Sequence, residues 1–313
     1  MTFDLPKKLA EFLRENPKRI HLIGVAGSGM SGIAGLLLAL GHRVSGCDRV
    51  STLETRRLET LGLKFYLPQS EETVRGAELI VYSSAIRSGN PAFDEAVRMG
   101  LPMVRRAEAL AAMMQFKKGI VIAGMHGKTT TSSMTAHIMR VGGLNPSHYV
   151  GAEIPILGTN AHWEPNGGYL VAEGDESDGT LSIYHAEHAI ILNIEEEHLD
   201  YYADLAAIEK VFNRFLDQVT GKVVYCADDP HAARLCASRS NSISYGKTDQ
   251  ALYRYRNFTG GPTGSRFEVW KAGQFLGELA LGVPGDHNIS NALGAAALAI
   301  EIGVPFSKIA EAL

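Results

Sequence analysis

Two glycine-containing segments of the sequence each follow an apolar run and precede a helix-like stretch. The first, GVAGSGMSG at residues 24–32, contains the pattern G-x-G-x-x-G directly after the apolar run at 19–24. Backbone amides at a helix N-terminus can bind a diphosphate, and glycine lets the backbone approach it closely. Asp48 ends the next predicted strand about 20 residues on, where a carboxylate commonly meets a ribose hydroxyl. The motif alone predicts a nucleotide site and favours NAD, although a glycine turn that only packs strand on helix is the structural alternative.

The second segment, IAGMHGKTTT at residues 122–131, is typical of a phosphate loop between a strand and a helix. Lys128 is predicted to reach the β- and γ-phosphates, and the Thr129 hydroxyl to bind Mg²⁺. The segment departs from G-x-x-x-x-G-K-[ST], because Ile122 occupies the position of the first glycine. A helix start without function is the alternative, and His126 alone is more typical of loop packing than of catalysis.

Two acidic segments follow apolar runs, EGDESD at residues 173–178 and NIEEEHLD at residues 193–200. Carboxylates at the C-terminal ends of strands in an open α/β sheet lie at its ligand-binding edge and can hold the Mg²⁺ that bridges ATP phosphates. The single imidazole of His198, with its neighbouring carboxylates, could hold a second cation. Solvated acidic loops and a surface His–Asp pair are the alternatives, since a lone histidine is usually structural.

The segment PGDHNISNA at residues 284–292 opens the last predicted helix. Asn288 and Asn291 are three residues apart and therefore share one helix face. An asparagine amide offers both a donor and an acceptor, as an adenine edge requires. A helix cap is the alternative for Asn288.

Apolar runs alternate with helix-like stretches through most of the chain, which indicates an α/β fold with parallel sheets. Predicted strands of the first domain lie at 19–24, 43–48, 79–83 and 102–104, and those of the second at 119–124, 169–173, 189–193 and 222–226. Strands at 266–270 and 274–281 flank a short glycine turn and predict an antiparallel hairpin. A single helix is predicted from Asn288 to the last residue. We therefore predict a Rossmann-like parallel-sheet domain at 1–116, followed by a P-loop ATPase-like α/β domain with a small hairpin at 117–313.

Composition narrows the class of protein. The 313 residues carry 30 Lys and Arg against 34 Asp and Glu, so no basic excess favours nucleic acid as a partner. No apolar run reaches the ~18 residues that a membrane span needs, and the polar N-terminus lacks the apolar core of a signal peptide. An odd count of cysteines (Cys47, Cys226 and Cys236) without metal spacing indicates a reducing compartment, and we expect the cytoplasm.

Taken together and in this order, the segments resemble the ATP-dependent Mur ligases, and among them the enzymes that add L-alanine. YSSAI at 82–86 and VRRAEALAAMM at 104–114 extend the resemblance over nearly the whole chain. It implies that the first glycine turn binds the UDP of UDP-N-acetylmuramate, and that ATP binds the second domain. ATP would phosphorylate the substrate carboxylate, and the amine of L-alanine would displace phosphate from the acyl phosphate.

The resemblance also implies residue roles. The implied catalytic residues are Lys128, Glu173 and His198. Thr129 and Glu173 are the implied ligands of the magnesium ion of ATP, and His198 is the implied ligand of a second magnesium ion. The implied ATP-binding residues are Gly124, Met125, His126, Gly127, Lys128, Thr129, Thr130, Asn288 and Asn291. The implied UDP-sugar residues are Gly27, Ser28, Gly29, Met30, Ser31, Asp48, Ser83, Ser84, Arg106 and Asn193.

Four residues depart from the family pattern: Ala26, Met125, Glu197 and Asp286, of which Asp286 replaces an arginine near the implied ATP site. The family also has a third, C-terminal domain that binds the amino acid, so we expect a truncated chain that binds the sugar nucleotide without ligating. Alternatives are a murein tripeptide recycling ligase, a non-catalytic UDP-sugar-binding paralog and, from the first motif alone, an NAD-dependent oxidoreductase. The oligomeric state is not predicted.

Overall fold

A computed structural model describes residues 5–198 and 200–313 of the chain. They divide into two compact units. The first contains the described residues up to Phe116 together with His148–Trp163, and the second contains Lys117–Ser147 and Glu164–Leu313. The sequence prediction placed residues 148–163 in the second domain, whereas in the structure they belong to the first unit.

Helices and strands alternate along both units. The helices are α1 (Leu5–Glu15), α2 (Ser28–Ala39), α3 (Leu53–Thr60), α4 (Pro91–Arg98), α5 (Arg106–Met114), α6 (Lys128–Val141), α7 (Leu205–Leu216), α8 (Pro230–Cys236), α9 (Asp286–Glu301) and α10 (Phe306–Ala312). The strands are β1 (Arg19–Ile23), β2 (Arg43–Cys47), β3 (Lys64–Tyr66), β4 (Leu79–Tyr82), β5 (Met103–Arg105), β6 (Lys118–Ala123), β7 (Ser147–Tyr149), β8 (Ala161–His162), β9 (Tyr169–Glu173), β10 (His188–Ile191), β11 (Val223–Cys226), β12 (Ser242–Gly246), β13 (Tyr253–Gly261), β14 (Gly264–Lys271) and β15 (Gln274–Leu281).

The first unit is built on a parallel sheet with the strand order β3-β2-β1-β4-β5. After the exposed Arg19, every residue of β1 is buried, as expected of a strand covered on both faces. β1 pairs with β2 on one side and with β4 on the other. The strand order therefore reverses at β1, and ligands of open α/β sheets bind at the C-terminal end of such a strand.

The second unit has parallel strands in the order β12-β11-β10-β6-β9. Beyond β12, the strand β13 continues the sheet, and β14 and β15 follow in antiparallel register. The predicted hairpin of β14 and β15 is confirmed, and so is the α/β class of both domains. The sequence analysis missed β13, which joins that hairpin to the parallel strands.

The short strands β7 and β8 pair in antiparallel register, His148 with His162 and Tyr149 with Ala161. Tyr149 packs on α2, where a Cβ built on Gly32 would lie 2.9 Å from its ring. Asn160 Nδ2 donates hydrogen bonds to the carbonyl of Ser28 and to Ser31 Oγ. These contacts explain why residues 148–163 belong to the first unit.

The C-terminal helix is interrupted, so the prediction of one continuous helix from Asn288 to residue 313 is wrong. Helix α9 ends at Glu301 and α10 begins at Phe306. Between them Gly303 has a φ of +94°, and Pro305 precedes the new helix with a φ of −61°. A left-handed glycine ends a helix, and proline cannot continue one.

The polar N-terminal segment forms α1 from Leu5 onward. None of the helices in residues 5–198 and 200–313 combines the length and apolarity that crossing a membrane requires.

His21, in the centre of β1, is fully buried between two polar neighbours. Its Nδ1 lies 2.9 Å from Ser45 Oγ and its Nε2 lies 3.2 Å from Cys47 Sγ. Burial lowers the pKa of His21 to about 4, because the protonated imidazole would lose its solvation. Burial shifts the pKa of His42 and His188 in the same direction.

This shift makes the stability of the first unit pH-dependent. In the unfolded chain His21 takes up a proton as pH falls through about 6.5, whereas in the folded chain it does so only near pH 4. The contribution of His21 to stability is therefore complete above pH 6.5 and is lost as the pH falls toward 4. Between pH 7 and pH 5 we expect the free energy of unfolding to fall by about 2 kcal/mol because of His21. Thermal unfolding at pH 7 and at pH 5 measures the stability difference between the two pH values. This difference should be smaller in His21→Gln than in the unmodified chain. The variant His185→Gln, at an exposed histidine, should retain the full difference, and an unchanged difference in His21→Gln would contradict the account.

Candidate functional site

The glycine turn of the first unit leaves the N-terminus of α2 open. Gly24 has a φ of +86°, which favours glycine, and Gly27 precedes α2 without a side-chain cap. Asp48 Oδ2 accepts a hydrogen bond from the amide of Ala26 at 2.8 Å, and its Oδ1 accepts one from the amide of Arg49 at 2.6 Å. The predicted ribose-binding carboxylate thus holds the turn itself in place.

A cavity of about 630 Å³ lies beside this turn, at the C-terminal end of β1. Three predicted UDP-sugar residues line it: Gly27, Asp48 and Ser83. Arg49 and Arg87, which the sequence analysis did not single out, also line it and bring positive charge. The remaining lining residues are Gly24, Ala26, Val50, Gln69, Ala85, Ile86, Ser88, Gly89 and Asn90.

Other residues predicted for the sugar nucleotide support the turn from outside the cavity lining. Met30 is 2% exposed and fully packed in α2, and Ser31 Oγ donates to the carbonyl of Ser28. Ser28 Oγ donates to the carbonyl of Gly151 at 2.7 Å. Ser84 is exposed next to the cavity residue Ser83.

Arg106 lies over the first turn of α2. Its Nη1 donates to Tyr149 Oη at 2.9 Å, and Tyr149 Oη donates to the carbonyl of Gly29 at 3.0 Å. A Cβ built on Gly29 would lie 2.9 Å from both Arg106 Cδ and Tyr149 Oη. A larger residue at position 29 would therefore have to displace the side chains of Arg106 and Tyr149.

The phosphate loop of the second unit joins β6 to α6. Gly124 and Gly127 have φ values of +145° and +84°. Lys128, the first residue of α6, folds its side chain back over the loop and donates to the carbonyls of Gly124 at 2.7 Å and Met125 at 3.3 Å. The ammonium group is thereby placed over the loop, where the resemblance puts the ATP phosphates.

Asn193 fixes the shape of this loop. Its Nδ2 donates to the carbonyl of His126 at 3.0 Å, and its Oδ1 accepts from the amide of the same residue at 2.8 Å. The carbonyl of Asn193 also accepts from the amide of Met125. The resemblance placed Asn193 among the UDP-sugar residues, whereas the structure places it in the second unit and commits its side chain to the phosphate loop.

Glu176 is the partner of Lys128, and the sequence analysis did not select it. Its Oε1 lies 2.6 Å from Lys128 Nζ and 3.5 Å from His198 Nε2. The side chain is 1% exposed, and burial raises the pKa of Glu176 against the opposing effect of Lys128. Its Oε2 is buried without a hydrogen-bond partner among the described residues. The one available signal was its place in the acidic segment after β9.

Glu173 ends β9 and pairs in register with Ile122 of β6, next to the phosphate loop. Its Oε1 is buried and has no hydrogen-bond partner in the described ranges. An unpaired carboxylate oxygen near the start of α6, where Thr129 lies, fits a hard cation such as Mg²⁺. Residues 5–198 and 200–313 contain no cluster of three or more His, Cys, Asp or Glu arranged for a metal.

His198 lies in the second acidic segment with a φ of +56°, and its neighbour Leu199 is outside the described residues. Its Nε2 is 4.0 Å from Glu197 Oε2, so the replacement of the family's aspartate still leaves a carboxylate beside it. His126, on the exposed side of the phosphate loop, has its Nε2 3.3 Å from Glu197 Oε1. Thr130 is half-buried in α6, and Met125 is buried in the loop.

The two asparagines of α9 have different surroundings. Asn288 Nδ2 donates to the carbonyl of Pro284 at 2.7 Å. Asn291 is buried, and its Oδ1 lies 2.7 Å from where a Cβ on Gly127 would be. Asp286, at the start of α9, has its Oδ2 3.5 Å from Lys247 Nζ. Helix α9 thus packs its N-terminal turns against the phosphate loop.

Comparisons with known proteins agree with this geometry. Residues 122–299 match the family described as "Mur ligase middle domain", and residues 19–118 match "Mur ligase family, catalytic domain". The chain belongs to the Mur ligase family. The family resemblance drawn from the sequence motifs is therefore confirmed.

Similar curated Mur ligases are named UDP-N-acetylmuramate–L-alanine ligase. The relative from Desulfosudis oleivorans is 43% identical over 94% of this chain, and that from Aquifex aeolicus is 40% identical over 96%. The chain spans 65% and 67% of their respective lengths.

Two solved structures resemble the chain closely. The UDP-N-acetylmuramate-alanine ligase of Thermotoga maritima has a TM-score of 0.86 at 27% identity, covering 95% of this chain and 68% of that one. The UDP-N-acetylmuramate:L-alanyl-gamma-D-glutamyl-meso-diaminopimelate ligase of Neisseria meningitides has a TM-score of 0.85 at 26% identity. It covers 95% of this chain and 98% of that one.

The contact between Gly127 and Asn291 gives a stability test of the Mur ligase phosphate loop. Gly127→Ala places a Cβ at a φ of +84° and 2.7 Å from Asn291 Oδ1, whereas Gly143→Ala places one at a φ of +82° with no atom within 4 Å. We expect the first variant to lose about 2–3 kcal/mol of unfolding free energy in the second unit and the second about 1 kcal/mol. Urea unfolding measures both losses.

The pair is matched in backbone strain, so the difference between the two variants reports the collision. Adding Asn291→Ala to Gly127→Ala should remove most of that difference, once the cost of Asn291→Ala alone is subtracted. Equal losses in the two glycine variants would contradict the packing of α9 on the loop.

Proposed function

We propose that this chain supplies the sugar-nucleotide-binding and ATP-binding units of an ATP-dependent ligase that joins L-alanine to the lactyl carboxylate of UDP-N-acetylmuramate in peptidoglycan precursor synthesis. The observation that carries the proposal is the presence in each unit of a glycine turn that leads into a helix N-terminus without a side-chain cap. The 40–43% identity to relatives named for this reaction supports it. The three cysteines are free and buried, which suits the reducing cytoplasm in which the reaction would occur.

The first unit would bind the sugar nucleotide in the cavity beside its glycine turn. The uncapped N-terminus of α2 offers amide hydrogens to a diphosphate, and the helix dipole favours negative charge there. Arg49 and Arg87 line the same cavity and would neutralise the rest of that charge. Asp48 would act by holding Ala26 and Arg49 in position, since both of its oxygens accept backbone hydrogen bonds.

The second unit would bind ATP at the phosphate loop. Lys128 would move from Glu176 Oε1 and the loop carbonyls to the transferring phosphate, and Glu176 would hold the ammonium in place until then. Thr129 and Glu173 would hold the magnesium of ATP and His198 a second one. When bound, Mg²⁺ offsets the repulsion between the γ-phosphate and the substrate carboxylate. Asn288 and Asn291 would lie toward the adenine.

The proposed reaction has two steps. A carboxylate oxygen of the lactyl group forms a bond to the γ-phosphorus, and the bond from that phosphorus to the bridging oxygen of ADP breaks. The neutral amine of L-alanine then attacks the acyl carbon, and the carbon–oxygen bond to phosphate breaks as the nitrogen loses a proton. The chain's contribution is to bring two anions together, which local cations and amide dipoles make possible.

The acidic residue Asp286 is compatible with ATP binding. Lys247 Nζ lies 3.5 Å from its carboxylate and also stands 5.5 Å from the Tyr255 ring centre and 5.4 Å from that of Phe258. The pair leaves no net charge where the family has an arginine. Lys247 therefore compensates for the substitution in part.

A second candidate is the ligation of a peptide in place of L-alanine. The solved Neisseria protein, which is named as such a ligase, matches this fold as well as the alanine enzyme does. The higher identity to the curated alanine ligases favours L-alanine. Competition between L-alanine and the tripeptide as amine substrates, measured by phosphate release, separates the two.

The phosphate-loop lysine provides the decisive variant. Lys128→Ala should weaken MgATP binding at least tenfold, or about 1.4 kcal/mol, because no other cation reaches the loop carbonyls among the contacts described above. Isothermal titration calorimetry measures this, with Lys210→Ala as an exposed lysine control in the same unit. Binding of UDP-N-acetylmuramate should be unchanged in both variants. Unaltered MgATP affinity in Lys128→Ala would refute the ATP site.

A further inference from the structure

A second cavity of the first unit lies on its sheet away from the glycine turn. Its volume is about 530 Å³. Arg19, Arg43 and Lys64 line it, and they are the first residues of the neighbouring strands β1, β2 and β3. The glycine turn follows the last residue of β1, so the two cavities are associated with opposite ends of that strand. Nothing in the proposed function uses this second cavity.

The lining is positively charged. Four basic side chains line it (Arg19, Arg43, Lys64 and Arg75), and no aspartate or glutamate does. Arg19 Nε donates to the carbonyl of Gly76 and lies 3.6 Å from Glu78, while Arg75 lies 3.9 Å from Glu72. These ion pairs are exposed and therefore weak.

Two of the cations have no acidic partner among the described residues. Arg43 makes no ion pair there, and Lys64 Nζ lies 5.1 Å above the centre of the Tyr66 ring. Both side chains are at exposed positions of the cavity rim. Their charges are therefore available to an anion that enters the cavity.

His42, which also lines the cavity, has a buried hydrogen-bond donor without an acceptor. Its Nδ1 accepts from the amide of Lys18 at 3.1 Å, so in the neutral imidazole Nε2 carries the hydrogen. Burial lowers the pKa of His42, which keeps the ring neutral at pH 7. His42 Nε2 has no hydrogen-bond partner in the described part of the chain, and His42 is only 6% exposed. Leaving such a donor unpaired is costly.

Much of the remaining lining is apolar, and the hydroxyl groups of Ser45 and Thr73 add two polar points. Leu38, Val44, Leu61 and Ala77 provide aliphatic surface, and Tyr66 provides an aromatic ring. A ligand that fits both halves of the cavity needs an anionic group and an apolar or ring-containing part.

We propose that this cavity is a second ligand site, which takes a small molecule that carries a phosphate group on an apolar or ring-containing part. The phosphate would lie between Arg43 and Lys64, and the apolar part would lie against Leu38 and Tyr66. The site is separate from the sugar-nucleotide cavity because the two share no lining residue.

The test is titration of the isotope-labelled chain with phenyl phosphate at about 0.15 M salt, near the ionic strength that screens exposed charges beyond about 8 Å. Amide NMR signals of Gly41, Gly62 and Gly76, which line the cavity, report binding there. The amide signals of Gly24 and Gly27, which line the sugar-nucleotide cavity, report binding in that cavity. The two sets of signals therefore distinguish binding at the second cavity from binding at the first. We expect saturable shifts at the first set, and affinity for phenyl phosphate at least threefold higher than for inorganic phosphate.

A charge-reversal variant supplies the control. Arg43→Glu combined with Lys64→Glu should weaken binding at least tenfold. Lys8→Glu combined with Arg56→Glu changes the net charge equally, at exposed residues of the same unit outside the lining, and should leave the affinity within twofold. Thermal unfolding of each variant checks that the unit is folded. Absence of saturable shifts, equal affinity for the two phosphates, or equal weakening in both double variants would overturn the proposal.

Discussion

Both candidate nucleotide sites depend on one backbone constraint, a parallel strand that ends in a turn with left-handed glycines before a helix. Gly24 follows β1 with a φ of +86°, and Gly127 precedes α6 with a φ of +84°. This conformation turns the chain sharply enough for free helix amides to face the end of the strand. The neighbouring side chains then hold the turn rigid, Asp48 in the first unit and Asn193 in the second. Each turn is thus held in shape by a side chain of its own unit.

The charges of the second unit follow from the same arrangement. The chain has a formal net charge of −4, yet its proposed substrates are anions. In the structure the positive charge is placed locally: Lys128 Nζ lies over the loop, 2.6 Å from the buried carboxylate of Glu176. A buried carboxylate next to a cation holds that cation in a defined place, at the cost of desolvating both groups. Arrival of a phosphate would exchange one anionic partner for another.

The sequence predicted those parts of the fold and site that depend on local patterns. Mainly apolar runs located β1, β6 and β9, because strands buried on both faces are rich in aliphatic residues, with His21 as a buried polar exception in β1. Glycine spacing located both turns, because the left-handed backbone conformation of a turn depends on the residues of the turn itself. The break between α9 and α10 was missed even though Gly303 and Pro305 mark it, because the apolar spacing continues across it.

Features that depend on contacts distant in sequence could not be predicted. The pairing of Lys128 with Glu176 joins residues 48 positions apart, and Asn193 reaches the loop across 67 positions. Residues 148–163 lie between strands of the second unit but belong to the first, because Tyr149 and Asn160 find their partners on α2. Arg49 and Arg87, which line the first cavity, belong to no recognised sequence motif and were therefore not predicted.

The central claim is that the chain has two independent nucleotide sites, one for a UDP-sugar and one for ATP. Equilibrium dialysis of the chain with UDP-N-acetylmuramate and MgATP together measures this most directly. The account predicts one molecule of each bound per chain, with neither displacing the other, and no displacement of the UDP-sugar by NADH. Displacement of UDP-N-acetylmuramate by MgATP or by NADH from a single shared site would contradict it.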